Sequence, residues 1–183
     1  MNQDDLTVDP KEIINNILTR TSVREYNSTR QIPQTVVEDI LHAAMSAPSG
    51  VNRRPWAFIT IDDPSILNAL ASSLPYAKMA AKATFAIVVC GDSTRFLEGD
   101  DATLWVQDLS AASENILLAA HANGLGSVWT SVYPHPDRQK AVSKILSLPD
   151  HIIPFNVIPM GYPEQPHHSI DKWDPSRVHH NKW

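Results

Sequence analysis

Ala47-Pro48-Ser49-Gly50-Val51-Asn52-Arg53-Arg54-Pro55-Trp56 decides how the rest of this 183-residue chain is read. Pro48 and Pro55 stiffen the stretch as a loop, and Gly50 permits a close backbone approach to something flat or bulky. Ser49 and Asn52 add short hydrogen-bonding side chains, and Arg53 and Arg54 add positive charge. Before the loop, Val36, Val37, Ile40, Leu41, Ala44 and Met45 recur at helical spacing in a segment that starts at Pro33 and ends before Pro48. After it, Trp56 to Ile61 reads as a strand. A helix, a rigid polar loop and a strand in this order make the loop a candidate binding wall, with a plain rigid connector as the competing reading.

Outward from the loop, helices and strands interleave without a clean β-α-β period. Asp9-Pro10 is a cap and first-turn pair for a helix over residues 11–19, where Ile13, Ile14, Ile17 and Leu18 share a face. Asp63-Pro64 opens another helix, running to about Leu74. Ala83 to Gly91 is a continuous apolar run, expected of a strand buried on both faces. The segment from about Asp101 to Asn123 predicts a helix about 33 Å long that is apolar nearly all round, ended by Gly124. Such a helix must be covered on every side, and a second subunit is the simplest cover, so a homodimer is expected, although a fully internal helix would satisfy the same pattern. Gly124 to Thr130 reads as a turn into a strand, Asp137 to Leu148 as a helix, and Ile152 to Gly161 as a strand despite Pro154 and Pro159. The expected class is α+β, a central and mainly antiparallel sheet covered by helices. One domain is expected over 1–183, with an extended tail over about 161–183 whose Tyr162, Trp173 and Trp183 pack on something.

Composition excludes several functions. A net charge of −5 gives no reason to expect nucleic acid. No apolar run reaches the roughly 18 residues of a membrane span, and the polar start Met1-Asn2-Gln3-Asp4-Asp5 is not expected to be a signal peptide. The lone Cys90, inside an apolar strand, is an expected inert thiol and suits a reducing, cytoplasmic setting. His167-His168 and His179-His180 invite a metal reading, but adjacent residues of an extended chain point apart and no Cys or carboxylate cluster accompanies them, so no metal is expected. Gly124-Leu125-Gly126 lacks the third glycine of a dinucleotide fingerprint and follows a helix.

Four clusters in order resemble the FMN-dependent nitroreductase family: Arg20-Thr21-Ser22-Val23-Arg24-Glu25-Tyr26, the Pro48–Trp56 loop, Asp108 to Asn115 with Gly124 to Trp129, and Gly161-Tyr162-Pro163 followed by Lys172 and the close Arg177 to Trp183. The resemblance implies a nitroreductase-like three-layer sandwich with the long helix at a dimer interface. It makes Arg20 and Lys172 ligands of the FMN phosphate, Lys172 standing where the family usually has arginine. It makes Thr21 and Ser22 polar contacts and sets Arg24 at the pyrimidine edge of the flavin. Pro48, Ser49, Gly50 and Asn52 would come from the other subunit to wall the ring. Trp129 to Val132 aligns loosely with the segment packed on the flavin, which brings in Thr130 and Ser131. Alone, Arg20 and Arg24 would read as solvated residues after a helix.

The implied activity is ping-pong hydride transfer from NAD(P)H through FMN to nitroaromatics, quinones or similar flat acceptors. The flavin carries the chemistry, so no catalytic acid or base is expected of the chain. Alternatives are a flavin-storing or flavin-sensing protein with little turnover, and a specialised relative such as a dehalogenase or enone reductase. A preference for NADPH would need a site for the 2′-phosphate, for which Arg53, Arg54 and Arg95 are candidates.

Overall fold

A computed structural model describes residues 9–183 of the chain. The polar start at Met1–Asp5 lies outside the described residues. Helix α1 (Pro10–Thr19) begins as its sequence dictates, with the Asp9 carboxylate accepting from the Lys11 backbone N–H at 2.9 Å. There follow α2 (Gln34–Met45), β1 (Trp56–Ile61), α3 (Pro64–Ser73), β2 (Phe85–Asp92), α4 (Leu104–Ala122), β3 (Gly126–Ser127), β4 (Thr130–Ser131), α5 (Pro136–Leu146) and β5 (Ile152–Gly161).

The sheet runs β1-β2-β5-β3, with β4 also on β5, and every strand pairing is antiparallel. Its middle strand β2 alternates. Phe85, Ile87 and Val89 pack with Val37, Ile40 and Ala44 of α2 and with Leu109, Ile116 and Ala120 of α4. Ala86, Val88 and Cys90 pack on the other face with Leu67 and Leu70 of α3 and Val142 of α5. A strand covered on both faces needs no polar alternation, which is why the sequence here is an unbroken apolar run. Two helical layers thus cover an antiparallel sheet, the expected three-layer sandwich. Pro154 of β5 sits where the register with β2 shifts, opposite Cys90, so its missing N–H falls at an irregularity of the ladder.

Two expectations need correction. The long helix begins at Leu104, after a 3-10 turn at Gly99–Asp101, and its 19 residues span about 28 Å. Within one chain it is covered on one side only. Trp105, Asp108, Leu109, Ala112, Ser113, Ile116, Leu117 and Ala120 are buried, while Gln107 and Glu114 are exposed. Glycine ends it as expected, with Gly124 at φ 73°. The strand read over Gly124 to Thr130 is two short pieces on either side of Val128 and Trp129. In the tail, Trp183 stacks on His179 with ring centroids 4.1 Å apart. Tyr162 is half-buried beneath the Arg30 guanidinium, 3.4 Å from the ring centroid, but Trp173 is 72% and Trp183 100% exposed. Helix α1 behaves alike, burying no residue and exposing Ile13, Ile14, Ile17 and Leu18.

Candidate functional site

Arg20 caps the C-terminus of α1, and the chain then lies against the sheet edge at β3. Ser22 bridges Ser127 in parallel, and the Val23 N–H donates to the Ser127 carbonyl at 3.0 Å. This approach is possible because residue 126 is glycine: a Cβ there would lie 2.5 Å from Val23 Cγ1. Tyr26 completes the anchor, its hydroxyl set between the Val23 and Pro159 carbonyls at 2.7 and 3.1 Å. Burial drives the Tyr26 phenol pKa far upward, partly opposed by the Arg24 charge, so this anchor stays protonated. With Val23 and Tyr26 turned inward, Ser22 and Arg24 are left facing outward.

Three cavities follow this segment. Arg20 and Lys172 line one of about 430 Å3, together with Glu114, Ser169, Ile170 and Asp171. Thr21, Ser22 and Arg24 line a second of about 350 Å3, closed by Pro166, His167 and His168. Arg24 also lines a third of about 370 Å3 with Tyr76, Met79, Val128, Trp129 and Thr130. The first two adjoin along the chain, since Thr21 follows Arg20 and His168 precedes Ser169; the second and third share Arg24. Two cations, two hydroxyls, a guanidinium and an indole thus stand in series. Thr130 spends its hydroxyl proton on the Val157 carbonyl at 2.6 Å. Ser131 does not line these cavities; its hydroxyl accepts from the Trp129 indole N–H at 3.1 Å.

The remaining predicted residues lie elsewhere. Pro48, Ser49, Gly50 and Asn52 form a loop fixed to the first turns of α4 through Gly50, whose N–H donates to Asp108 Oδ1 at 2.9 Å. The Ser49 hydroxyl accepts from the Arg54 N–H at 2.9 Å, and Asn52 Oδ1 accepts from Arg54 Nε at 2.9 Å. Val51, Asn52 and Arg54 all take positive φ, between 50° and 55°. Within one chain this loop is not brought to Arg20, Ser22 or Arg24.

Two carboxylates were not singled out by sequence reasoning. Glu114 Oε1 lies 3.5 Å from Arg20 Nε, and the buried Asp108 holds the loop. The available signal was chemical: a carboxylate in an apolar helix needs a donor or a cation. His121 of α4 joins Arg20's surroundings, its Nε2 2.9 Å from Thr19 Oγ1. Burial, and then the Arg20 charge, hold its pKa below the usual histidine value. Among the described residues, no group of three or more His, Cys, Asp and Glu is placed to hold a metal, and no helix is long and apolar enough to cross a membrane.

A curated protein of Methanothermobacter thermautotrophicus named "Putative NADH dehydrogenase/NAD(P)H nitroreductase" is 45% identical over 176 residues, covering 96% of this chain and 90% of its own. The crystal structure of a protein of the same name from Parabacteroides distasonis superposes with a TM-score of 0.88 at 45% identity, over 94% of this chain and 99% of that one. A "putative nitroreductase in complex with fmn" from Desulfovibrio desulfuricans gives a TM-score of 0.79 at 28% identity, over 97% and 99%. The sequence pattern of the Nitroreductase family matches residues 17–162, from the last turn of α1 to the end of the sheet, and the chain belongs to that family.

Proposed function

We propose that the protein is an FMN-dependent oxidoreductase that takes hydride from NAD(P)H and passes it, in ping-pong order, to nitroaromatics, quinones or similar flat acceptors. The observation that carries this reading is the meeting of Arg20 and Lys172, 152 positions apart, around one cavity that leads to Ser22 and Arg24. That donor set fits FMN. A phosphate dianion calls for a guanidinium fork and an ammonium, the ribityl chain for the Thr21 and Ser22 hydroxyls, and the electron-rich pyrimidine edge for Arg24. When bound, FMN supplies a ring that accepts and returns hydride, and the chain need only hold, orient and polarise it.

Pro48, Ser49, Gly50 and Asn52 fit the same site from a second copy. We infer a cytoplasmic homodimer of one-domain subunits over 1–183, in which residues 161–183 lie on the partner. The exposed apolar faces support it: Ile13, Ile14, Ile17 and Leu18 on α1, with Ile170, Trp173, Val178 and Trp183 on the tail, exceed the scattered apolar exposure of a monomer. Thr130 and Ser131 belong to the short segment that would flank the ring.

Purified protein should carry a flavin absorption spectrum that bleaches on anaerobic addition of NADPH or NADH and returns on adding a quinone. A spectrum that never bleaches would favour a flavin-storing protein. Protein that stays colourless after incubation with FMN would refute the reading.

A further inference from the structure

A second basic cavity, of about 470 Å3, lies beside the Pro48–Asn52 loop and is lined by Val51, Asn52, Arg53, Thr94 and Arg95. Arg95 Nε donates to the Arg53 carbonyl at 3.0 Å, which ties the loop to the turn after β2. The bond uses one nitrogen of Arg95 and leaves its two terminal ones, and the whole Arg53 guanidinium, uncommitted. The ion pairs among the described residues, Arg20–Glu114 and Arg177–Asp174, lie elsewhere. Asp92, which caps the turn that carries Arg95, has one carboxylate oxygen engaged by the Thr94 N–H at 3.0 Å and the Thr94 hydroxyl at 2.6 Å. Arg54 adds a third exposed guanidinium at the rim, oriented by Asn52.

We propose that Arg53 and Arg95 form a phosphomonoester subsite that takes the 2′-phosphate of NADPH and sets a preference for NADPH over NADH. This rests on the oxidoreductase reading above. Two guanidiniums suit the oxygens of a terminal phosphate, whereas the bridging diphosphate of either nucleotide offers less charge per phosphorus. Position supports the choice: the cavity adjoins the loop that would wall the flavin ring, so a nucleotide whose nicotinamide lies on that ring has its adenosine end free to reach the rim.

The test compares FMN-loaded wild type with Arg53→Ala and Arg53→Ala/Arg95→Ala. Arg53→Ala keeps the carbonyl that Arg95 binds, so it removes charge without releasing the loop. Calorimetric titration uses adenosine 2′,5′-bisphosphate and 5′-AMP; kinetics give kcat/KM for NADPH and NADH. Wild type should bind the bisphosphate at least about tenfold tighter than AMP, and each lost guanidinium should weaken the bisphosphate about tenfold. The NADPH kcat/KM should fall in parallel while that for NADH changes less than about twofold. Equal wild-type affinity for bisphosphate and AMP, or equal losses for the two nucleotides, overturns the subsite. Arginine-dependent bisphosphate binding with no oxidation of either nucleotide would support the subsite and refute the oxidoreductase reading.

Discussion

Replacing Arg20 by alanine should separate cofactor binding from folding. In the free protein the guanidinium makes one ion pair, at 3.5 Å, with a Glu114 side chain that is 49% exposed. The Arg20 side chain is 18% exposed, so this half-open pair is worth about 1 kcal/mol. The Arg20 backbone N–H, which ends α1 by donating to the Asn16 carbonyl at 3.2 Å, survives truncation. Apoprotein stability should therefore fall by about 0–1 kcal/mol. Against the phosphate dianion of FMN the same guanidinium makes charge-assisted bonds worth about 1.5–3 kcal/mol, so the Kd should rise about ten- to a hundredfold. Quenching of flavin fluorescence, with dialysed apoprotein titrated into FMN, measures the second quantity and urea unfolding the first. Arg20→Lys should lie between, keeping the charge but not the fork. An FMN Kd within threefold of wild type would refute the phosphate assignment. An apoprotein loss above about 2 kcal/mol would make Arg20 a structural residue instead.

Gly126→Ala should cost about 2–4 kcal/mol, because the new Cβ meets Val23 at 2.5 Å and must push away the segment whose Val23 N–H bonds Ser127; a loss under about 0.5 kcal/mol in urea unfolding contradicts that. The Cys90 thiol, pushed up to about 12 by burial, should resist iodoacetamide at pH 8 in the native state and react fully once unfolded; rapid native labelling would show that β2 opens readily. His121 is held below its ordinary value of 6.5, by burial first and Arg20 second, so the unfolded chain binds the proton more tightly. Its neutral form therefore contributes stability above about pH 6.5 that is lost as pH falls from there through the folded pKa. The Tm of His121→Asn should change less between pH 7.5 and 5.5 than that of wild type, and identical slopes would dismiss the effect.

Elements governed by local chemistry were legible in the sequence. The caps of α1 and α3 follow from Asp9-Pro10 and Asp63-Pro64, and Asp63 Oδ1 does accept the Ser65 N–H at 2.7 Å. The apolar run in β2 declared burial on both faces, and both faces are covered. What could not be read were facts set by tertiary neighbours. Asp101 ends a 3-10 turn at Gly99–Asp101 and the helix begins only at Leu104, a boundary set by backbone geometry. Gly126 read as part of a turn, yet it is glycine because Val23, 103 positions earlier, occupies the space a side chain would need.

The site was legible where charge had a task and illegible where charge was already answered. Arg20 and Lys172 were legible through the resemblance that gave them a phosphate to hold, although Asp171 and Asp174 flank Lys172, whereas Glu114 and Asp108 were hidden within an apolar helix. Those two carboxylates explain the division of the site. Asp108 holds the Gly50 loop and Glu114 faces Arg20, both from α4. Six residues of helix separate them by about 9 Å along the axis and turn them about 120° apart around it. A helix packed along one face cannot bend to close that angle, so one chain presents the two halves of its site in different directions. A two-fold partner can close it, because an isologous interface sets each loop against the other copy's arginines. In the proposed homodimer α4 is then the common frame of both sites: a substitution that shifts its packing moves the wall of one and the phosphate end of the other, while a change in the loop alone alters only the wall.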